Sequence, residues 1–459
     1  MTAILTGGSG AGKGDIMAQH NLSKGNLLHN MIWFSLPYLL SYFLQTLYGL
    51  ADLLIAGQYN GADVISAVSI GSQVMHMVTV MLVGLAMGST VMIGQYVGAG
   101  DDRRISKAIG NTITLFAIIA VAVTLLLHIC IHPIVAALST PAEAIPGTVS
   151  YLQICFTGIP FIIAYNVLSS IFRGMGDSKS PLLFIAIACF VNIILDLLFM
   201  GPMHMGAAGA AYGTILAQVV SVVIAFAAIV KKKLFDVHMS DLKLDRFVLE
   251  KILGVGVPVA CQDGFIQISF LIITVIANQR GVDISAAVGI VEKTISFLFL
   301  VPSSMLSTVS TIAAQSVGAG DKARARQTLK YGVIMSFCIG IFFAVLFQFI
   351  SPLFFRMFTE DPVVKEYAVQ YMRTYVIDCA IAGVHFPFSG FFSACNMSIL
   401  SFIHNIVSVI LVRVPGAWLA TKLYPDTLYA MGLAAPAGSL LSVIICVGFY
   451  LHFKNKRKF

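Results

Sequence analysis

The chain has 459 residues, of which 58% are hydrophobic and 11% charged, with a formal net charge of +7. A soluble domain carries roughly 25% charged residues, so this composition excludes an ordinary soluble enzyme and points to an integral membrane protein. The excess positive charge would suit nucleic acid only if it formed a basic face, and its distribution along the chain does not.

The N-terminal stretch Gly7 to Gly14 reads GGSGAGKG, close to a phosphate loop. Such a loop needs a Ser or Thr hydroxyl after its Lys to hold magnesium, and a helix within a packed domain; here Gly14 fills the hydroxyl position. Residues 1–30 are therefore expected to be a flexible tail. No charged n-region, short apolar stretch and small-residue cleavage site can be read, so the first apolar segment is expected to remain as a helix.

A membrane-crossing helix needs about 20 apolar residues. Twelve segments meet this, near 31–55, 64–92, 108–133, 147–171, 181–200, 208–230, 252–277, 284–312, 330–355, 366–391, 400–420 and 431–453. Gly and Pro inside several of them predict kinks. Placing both termini in the cytoplasm puts 21 of the 28 Lys and Arg residues on that side, Arg103, Arg104, Arg173, Lys231, Arg324 and Arg326 among them. That follows the excess of basic residues in cytoplasmic loops. The positive charge is thus read as topological, with no nucleic-acid partner.

The eight cysteines show no C-x-x-C spacing and the histidines no zinc-protease motif. They are read as apolar packing residues rather than as a disulfide framework or metal site. No G-x-S-x-G or H-E-x-x-H occurs, so no enzyme and no cofactor are expected.

The chain repeats itself. Gln95, Val97, Gly98, Ala99, Gly100 and Asp101 recur as Gln315, Val317, Gly318, Ala319, Gly320 and Asp321, an offset of 315 minus 95, or 220. Gly61, Asp63, Ala67, Val68 and Ile70 map by the same offset to Gly281, Asp283, Ala287, Val288 and Ile290. Six spans per repeat is an even number, so both halves enter the bilayer the same way round, as in transporters that rock two bundles about a central site. The expected division is a bundle over 31–230, a cytoplasmic linker over 231–248, a second bundle over 249–453 and a basic tail over 454–459. The GAGD segments are expected to be tight turns holding helices together, with Gly98 and Gly318 tolerating positive φ.

An ionisable side chain inside the bilayer is costly and normally functional. The first half holds Asp52 and Asp196. Asn192 and Asp196 are four apart and share a helix face, and Thr214 adds a hydroxyl. Two carboxylates, an amide and a hydroxyl are hard oxygen donors for a small cation. Two such acids side by side hold either a cation or a proton. The competing reading makes Asp52 or Asp196 a helix cap near the outer face, since Gly201 and Pro202 lie close. Offset 220 carries Asp52 to Ile272 and Asp196 to Gly416, so the cluster is not duplicated. The second half instead holds Asp263, Glu292, Lys293, Arg373, Asp378, His385, His404 and Arg413, with Asp378 and Arg413 expected to pair. Candidates for contact with a substrate are Gln45, Tyr48, Asn166 and Ser169, with Gln262 and Asp263 opposite.

Pro37 and LADLLIAG, GQYVGAGD, FRGMGDSKSP, VNIILDLLFMGP, GAAGAAYGT and the repeated QSVGAGD together resemble the multidrug and toxic compound extrusion (MATE) family over about residues 30 to 453. The resemblance implies an all-α membrane protein of twelve transmembrane helices in two pseudo-symmetric bundles around a V-shaped cleft. It implies a plasma-membrane antiporter that exports amphipathic, mostly cationic compounds in exchange for Na+ or H+. Asp52, Asn192, Asp196 and Thr214 match the family's cation site, and Pro37 its helix-bending proline. A monomer is expected. The alternative is an exporter or flippase of a lipid-linked or amphipathic metabolite on the same superfamily fold.

Overall fold

A computed structural model describes residues 21–138, 140–232 and 238–455. The GGSGAGKG motif, part of the linker and most of the basic C-terminal tail lie outside them. All regular structure among the described residues is helical. Eleven helices are long and apolar enough to cross a bilayer, and one bent pair makes twelve.

The spans are α1 (Leu27–Tyr59), α2 (Ala62–Ala99), α3 (Asp102–Ala137), α4 (Ile145–Thr157 with Ile159–Gly174), α5 (Lys179–Met200) and α6 (Gly206–Lys232). The second set is α7 (Arg246–Asn278), α8 (Val282–Leu298 with Leu300–Gly318), α9 (Lys322–Phe355), α10 (Pro362–Tyr375 with Ile377–Ala394), α11 (Ser398–Leu423) and α12 (Tyr429–Asn455).

The breaks follow from residues that cannot complete the helical ladder. α4 bends by 49° at Gly158, two residues before Pro160, whose missing N–H removes a backbone bond. α11 widens into a π-turn over Val409–Arg413 just ahead of Pro415, one of the recognised ways a helix absorbs a lost bond. Pro37, in contrast, lies within a continuous α1, where the Ser41 hydroxyl donates to its carbonyl at 2.8 Å.

Both repeated turns close alike. Gly100 (φ 67°) and Gly320 (φ 77°) take the left-handed conformation, and Asp101 and Asp321 cap the next helices by accepting from the amides of Arg104 and Arg324 at 3.0 and 2.8 Å. Gly98 and Gly318 have a different task from the expected one. They are helical, and a Cβ on either would overlap the backbone carbonyl of Gln315 or Gln95 respectively. They let α2 and α8 touch backbone to backbone. Gly88 and Gly256 do the same for α2 and α7, against the carbonyls of Ile252 and Leu85.

These contacts cluster at one end of the molecule. There the N-terminal segment, the GAGD turns and the ends of α4 and α10 meet through bonds such as Leu22 to Gln315 and Gln95 to Ala394. One apolar cluster at this end is built from both halves, including Met31, Phe34, Met87, Val91, Val309 and Phe391. Two further clusters lie almost wholly one in each half, around Tyr151 and Phe156 and around Tyr371 and Tyr375. The halves are therefore joined at the end carrying the basic loops and further along α2 and α7, where Gly84 meets Ala260 and Gly264 meets Met81.

Candidate functional site

Three helices of the first half bring Asp52, Asn192, Asp196 and Thr214 together. Asp52 is supplied by α1, Asn192 and Asp196 by consecutive turns of α5, and Thr214 by α6. Their exposures are 2%, 1%, 0% and 7%. The Thr214 hydroxyl donates to Asp52 Oδ2 at 3.4 Å across 162 positions of sequence, and the Asn192 amide donates to Asp196 Oδ2 at 3.3 Å.

Three oxygens of the cluster, Asp52 Oδ1, Asn192 Oδ1 and Asp196 Oδ1, are buried without a hydrogen-bond partner. Buried polar atoms are normally satisfied, so three orphaned acceptors on three neighbouring side chains leave oxygens that a positively charged guest could satisfy. Among the described residues no basic side chain is ion-paired with either acid. Space for Asp196 is made by Gly213, because a Cβ there would overlap Asp196 Oδ1. The capping alternative fails on position. α5 runs on to Met200, and its C-terminus is closed by the Gly201 amide bonding to Leu197. α1 runs seven residues past Asp52.

The substrate-contact candidates divide into groups. Tyr48, half-buried one turn before Asp52, lies within electrostatic reach of that acid and borders the buried acid cluster. Gln45 lies beside Tyr165. Ser169 is buried with an unpartnered hydroxyl, and Gln262 is buried with an unpartnered Oε1. Asn166 donates to the Ile162 carbonyl at 2.8 Å and lines a cavity of about 10 Å³ with Tyr38, Thr90, Ser170 and Arg173. Asp263 approaches the first half, since a Cβ on Gly84 of α2 would lie 2.9 Å from its Oδ2. Nearby, the hydroxyls of Tyr42 and Ser307 meet at 3.3 Å across the halves.

Arg173 departs from its reading as a loop charge. It is 6% exposed, and its guanidinium sits 4.2 Å from the centre of the Tyr38 ring. Sequence position near Lys179 masked this, and only the interleaved tyrosines of α1 could have signalled it.

The second half buries a different polar group. Arg413 donates to the Tyr375 hydroxyl at 2.6 Å and lies 4.6 Å from the centre of the Phe270 ring. Glu292 accepts from the Tyr371 hydroxyl at 3.2 Å, whereas Lys293 is exposed. Both oxygens of Asp378 are unpartnered, so the expected direct pair with Arg413 is not formed. The guanidinium is taken instead by the Tyr375 phenol, just ahead of the break in α10 at Val376. His404 is held by Ser442 at 2.6 Å and Ser389 at 3.1 Å, with the His385 ring 5.8 Å away.

The family model MatE matches residues 37–198 and again 258–419. A probable multidrug resistance protein of Bacillus subtilis, YpnP, is 28% identical over 412 residues, covering 88% of this chain and 92% of its own. The FAD transporter of Shewanella oneidensis is 25% identical over 93% of this chain and 94% of its own. A solved outward-facing conformation of a multidrug resistance MATE family transporter of the MOP superfamily aligns with a TM-score of 0.89 at 21% identity, covering 96% of this chain and 99% of that one. That last likeness concerns the fold.

Proposed function

The chain belongs to the MatE family, a family of multi-pass membrane transporters, and from that premise we propose that it is a secondary antiporter exchanging Na+ or H+ for amphipathic, mostly cationic compounds. The observation that carries this reading is the buried cluster with its three orphaned oxygens. A desolvated pair of acids without a basic partner is unfavourable unless a cation or proton joins them. Occupancy is thereby tied to the packing of α1 against α5 and α6. A ligand shifts a conformational equilibrium only by its differential affinity for the two states. In this reading the cation favours the state in which Asp52 and Asp196 converge, and its release frees α1 to move. The proposed setting is the plasma membrane, with both termini cytoplasmic and the chain acting as a monomer.

A second reading, export of an anionic amphipathic metabolite, draws on Arg173, a buried cation with aromatic rather than acidic neighbours. The named activity of the Shewanella relative adds to its interest. One experiment separates the two. Vesicles holding the protein are given imposed Na+ or H+ gradients and loaded with either a cationic dye or a flavin nucleotide. Gradient-driven movement of the dye, lost in Asp196→Asn, is expected. Movement of the flavin nucleotide alone would favour the second reading, and movement of neither under any gradient would refute both.

A further inference from the structure

The repeated glutamines do more than mark the repeat. Gln95 of α2 donates its side-chain amide to the Ala394 carbonyl at 2.9 Å, and Gln315 of α8 donates to the Gly174 carbonyl at 3.0 Å. The receiving residues obey the same offset as the donors, 394 minus 174 being 220. Ala394 ends α10 and Gly174 ends α4, the fourth span of each half. The last carbonyls of a helix lack intrahelical donors, and each half supplies the missing donor to the other. Both glutamines are buried, at 8% and 0% exposure. Gly98 and Gly318 hold the donor helices in contact at this level.

A third element reinforces one side. The Leu22 amide donates to Gln315 Oε1 at 2.8 Å. Arg324 clamps the same segment through the carbonyls of Leu22, Lys24 and Gly25, at 2.9, 3.0 and 3.0 Å. The segment before α1 is thus strapped across the second half, on the glutamine that binds the first.

We infer that Gln95 and Gln315 are gating residues: a reciprocal pair of hydrogen bonds, braced by the strap Leu22–Gly25, that holds the basic end shut and sets the balance between the two access states. It rests on the reading of the chain as a transporter whose halves rock. Opening this end must separate Gln95 from Ala394 and Gln315 from Gly174 together, because both bonds cross the same seam. Separation leaves two amides and two carbonyls to be hydrated, so the end opens only as water enters.

Cys395 is a built-in reporter. It is a free, partly exposed thiol next to Ala394. Its modification by a water-soluble maleimide, followed by peptide mass spectrometry on the full chain in vesicles without gradient or substrate, measures opening of the seam. Gln95→Ala and Gln315→Ala are each expected to raise the rate about fivefold, the effect of one net hydrogen bond. Arg324→Ala, in the first turn of α9, is expected to raise it about twofold, with Arg324→Lys in between. Folded glutamine variants that label at the wild-type rate overturn the proposal. If neither glutamine variant folds, Arg324→Ala decides alone, and a wild-type rate there overturns it. Since the measurement needs no gradient, failure of dye exchange would count against the antiport reading and leave this one standing.

Discussion

Gly213→Ala tests the buried acid cluster without replacing any polar side chain. On helix propensity alone, Gly to Ala in a helix interior stabilises by about 1 kcal/mol. At Gly213 the new methyl would overlap Asp196 Oδ1, and this carboxylate is short, fully buried and bonded to Asn192. It can yield only by rotating out of the cluster. Overpacking of a well-filled site costs about 1–3 kcal/mol, equivalent to a loss of about 5- to 150-fold in affinity for whatever the cluster binds. Gly289→Ala is the control, since a Cβ there meets nothing within 4 Å. The assay is the Na+ or pH dependence of dye efflux from vesicles, with thermal unfolding in detergent alongside. Gly213→Ala should fold and shift the half-saturating cation concentration at least about fivefold, while Gly289→Ala should melt slightly higher and transport as wild type. Identical behaviour of the two variants would refute the placement of Asp196 in a binding site.

Gly98→Val and Gly318→Val should sharply reduce the yield of folded protein, measured by size exclusion in detergent, because the obstructing atoms are backbone carbonyls that cannot rotate away; any folded fraction should keep its ion preference. The Lys107 ammonium donates to Asp245 at 2.6 Å and holds its carboxyl below the usual range. Because that pKa is lowered on folding, the contribution to stability is present above about pH 3.9 and lost as pH falls through the lower folded value. Lys107→Ala should therefore melt below wild type at pH 7, and the gap should close in acid. Removing residues 2–20, which include GGSGAGKG but spare Leu22, should leave dye efflux and its insensitivity to nucleotide unchanged.

What the sequence revealed depended on whether the cause was local. Apolar runs located the spans, and the spacing of Asn192 and Asp196 placed them on one face. The meeting of Asp52 with Thr214 depends on how α1 packs beside α6, and spacing cannot show it; the family resemblance supplied that pairing. Helix breaks were signalled by Pro160 and Pro415, but whether the ladder bends, as at Gly158, or widens, as at Val409–Arg413, is settled by neighbouring helices. Gly98 shows a correct residue with a different cause. The positive φ belongs to Gly100, and Gly98 is small because Gln315 of another helix lies against it.

The repeat also explains why only one half can hold the cluster. Offset 220 carries Asp196 to Gly416 and Thr214 to Ala434. In the structure these two are again neighbours, with a Cβ on Gly416 lying 3.4 Å from the Ala434 Cβ. The duplicated scaffold has thus kept the contact between the fifth and sixth helices of each half while changing its chemistry. In the first half it is opened by Gly213 to admit a carboxylate, and in the second it is closed by small apolar side chains. A symmetric pair of bundles would respond to a cation in the same way on both sides. Under the proposed antiport, confining the acids to one contact means that charging it would act on the packing of α1, α5 and α6 without a counterpart in α7, α11 and α12. On the proposed antiport reading, that asymmetry, set against a seam held by symmetric glutamines, is what would give a bound cation a direction in which to act.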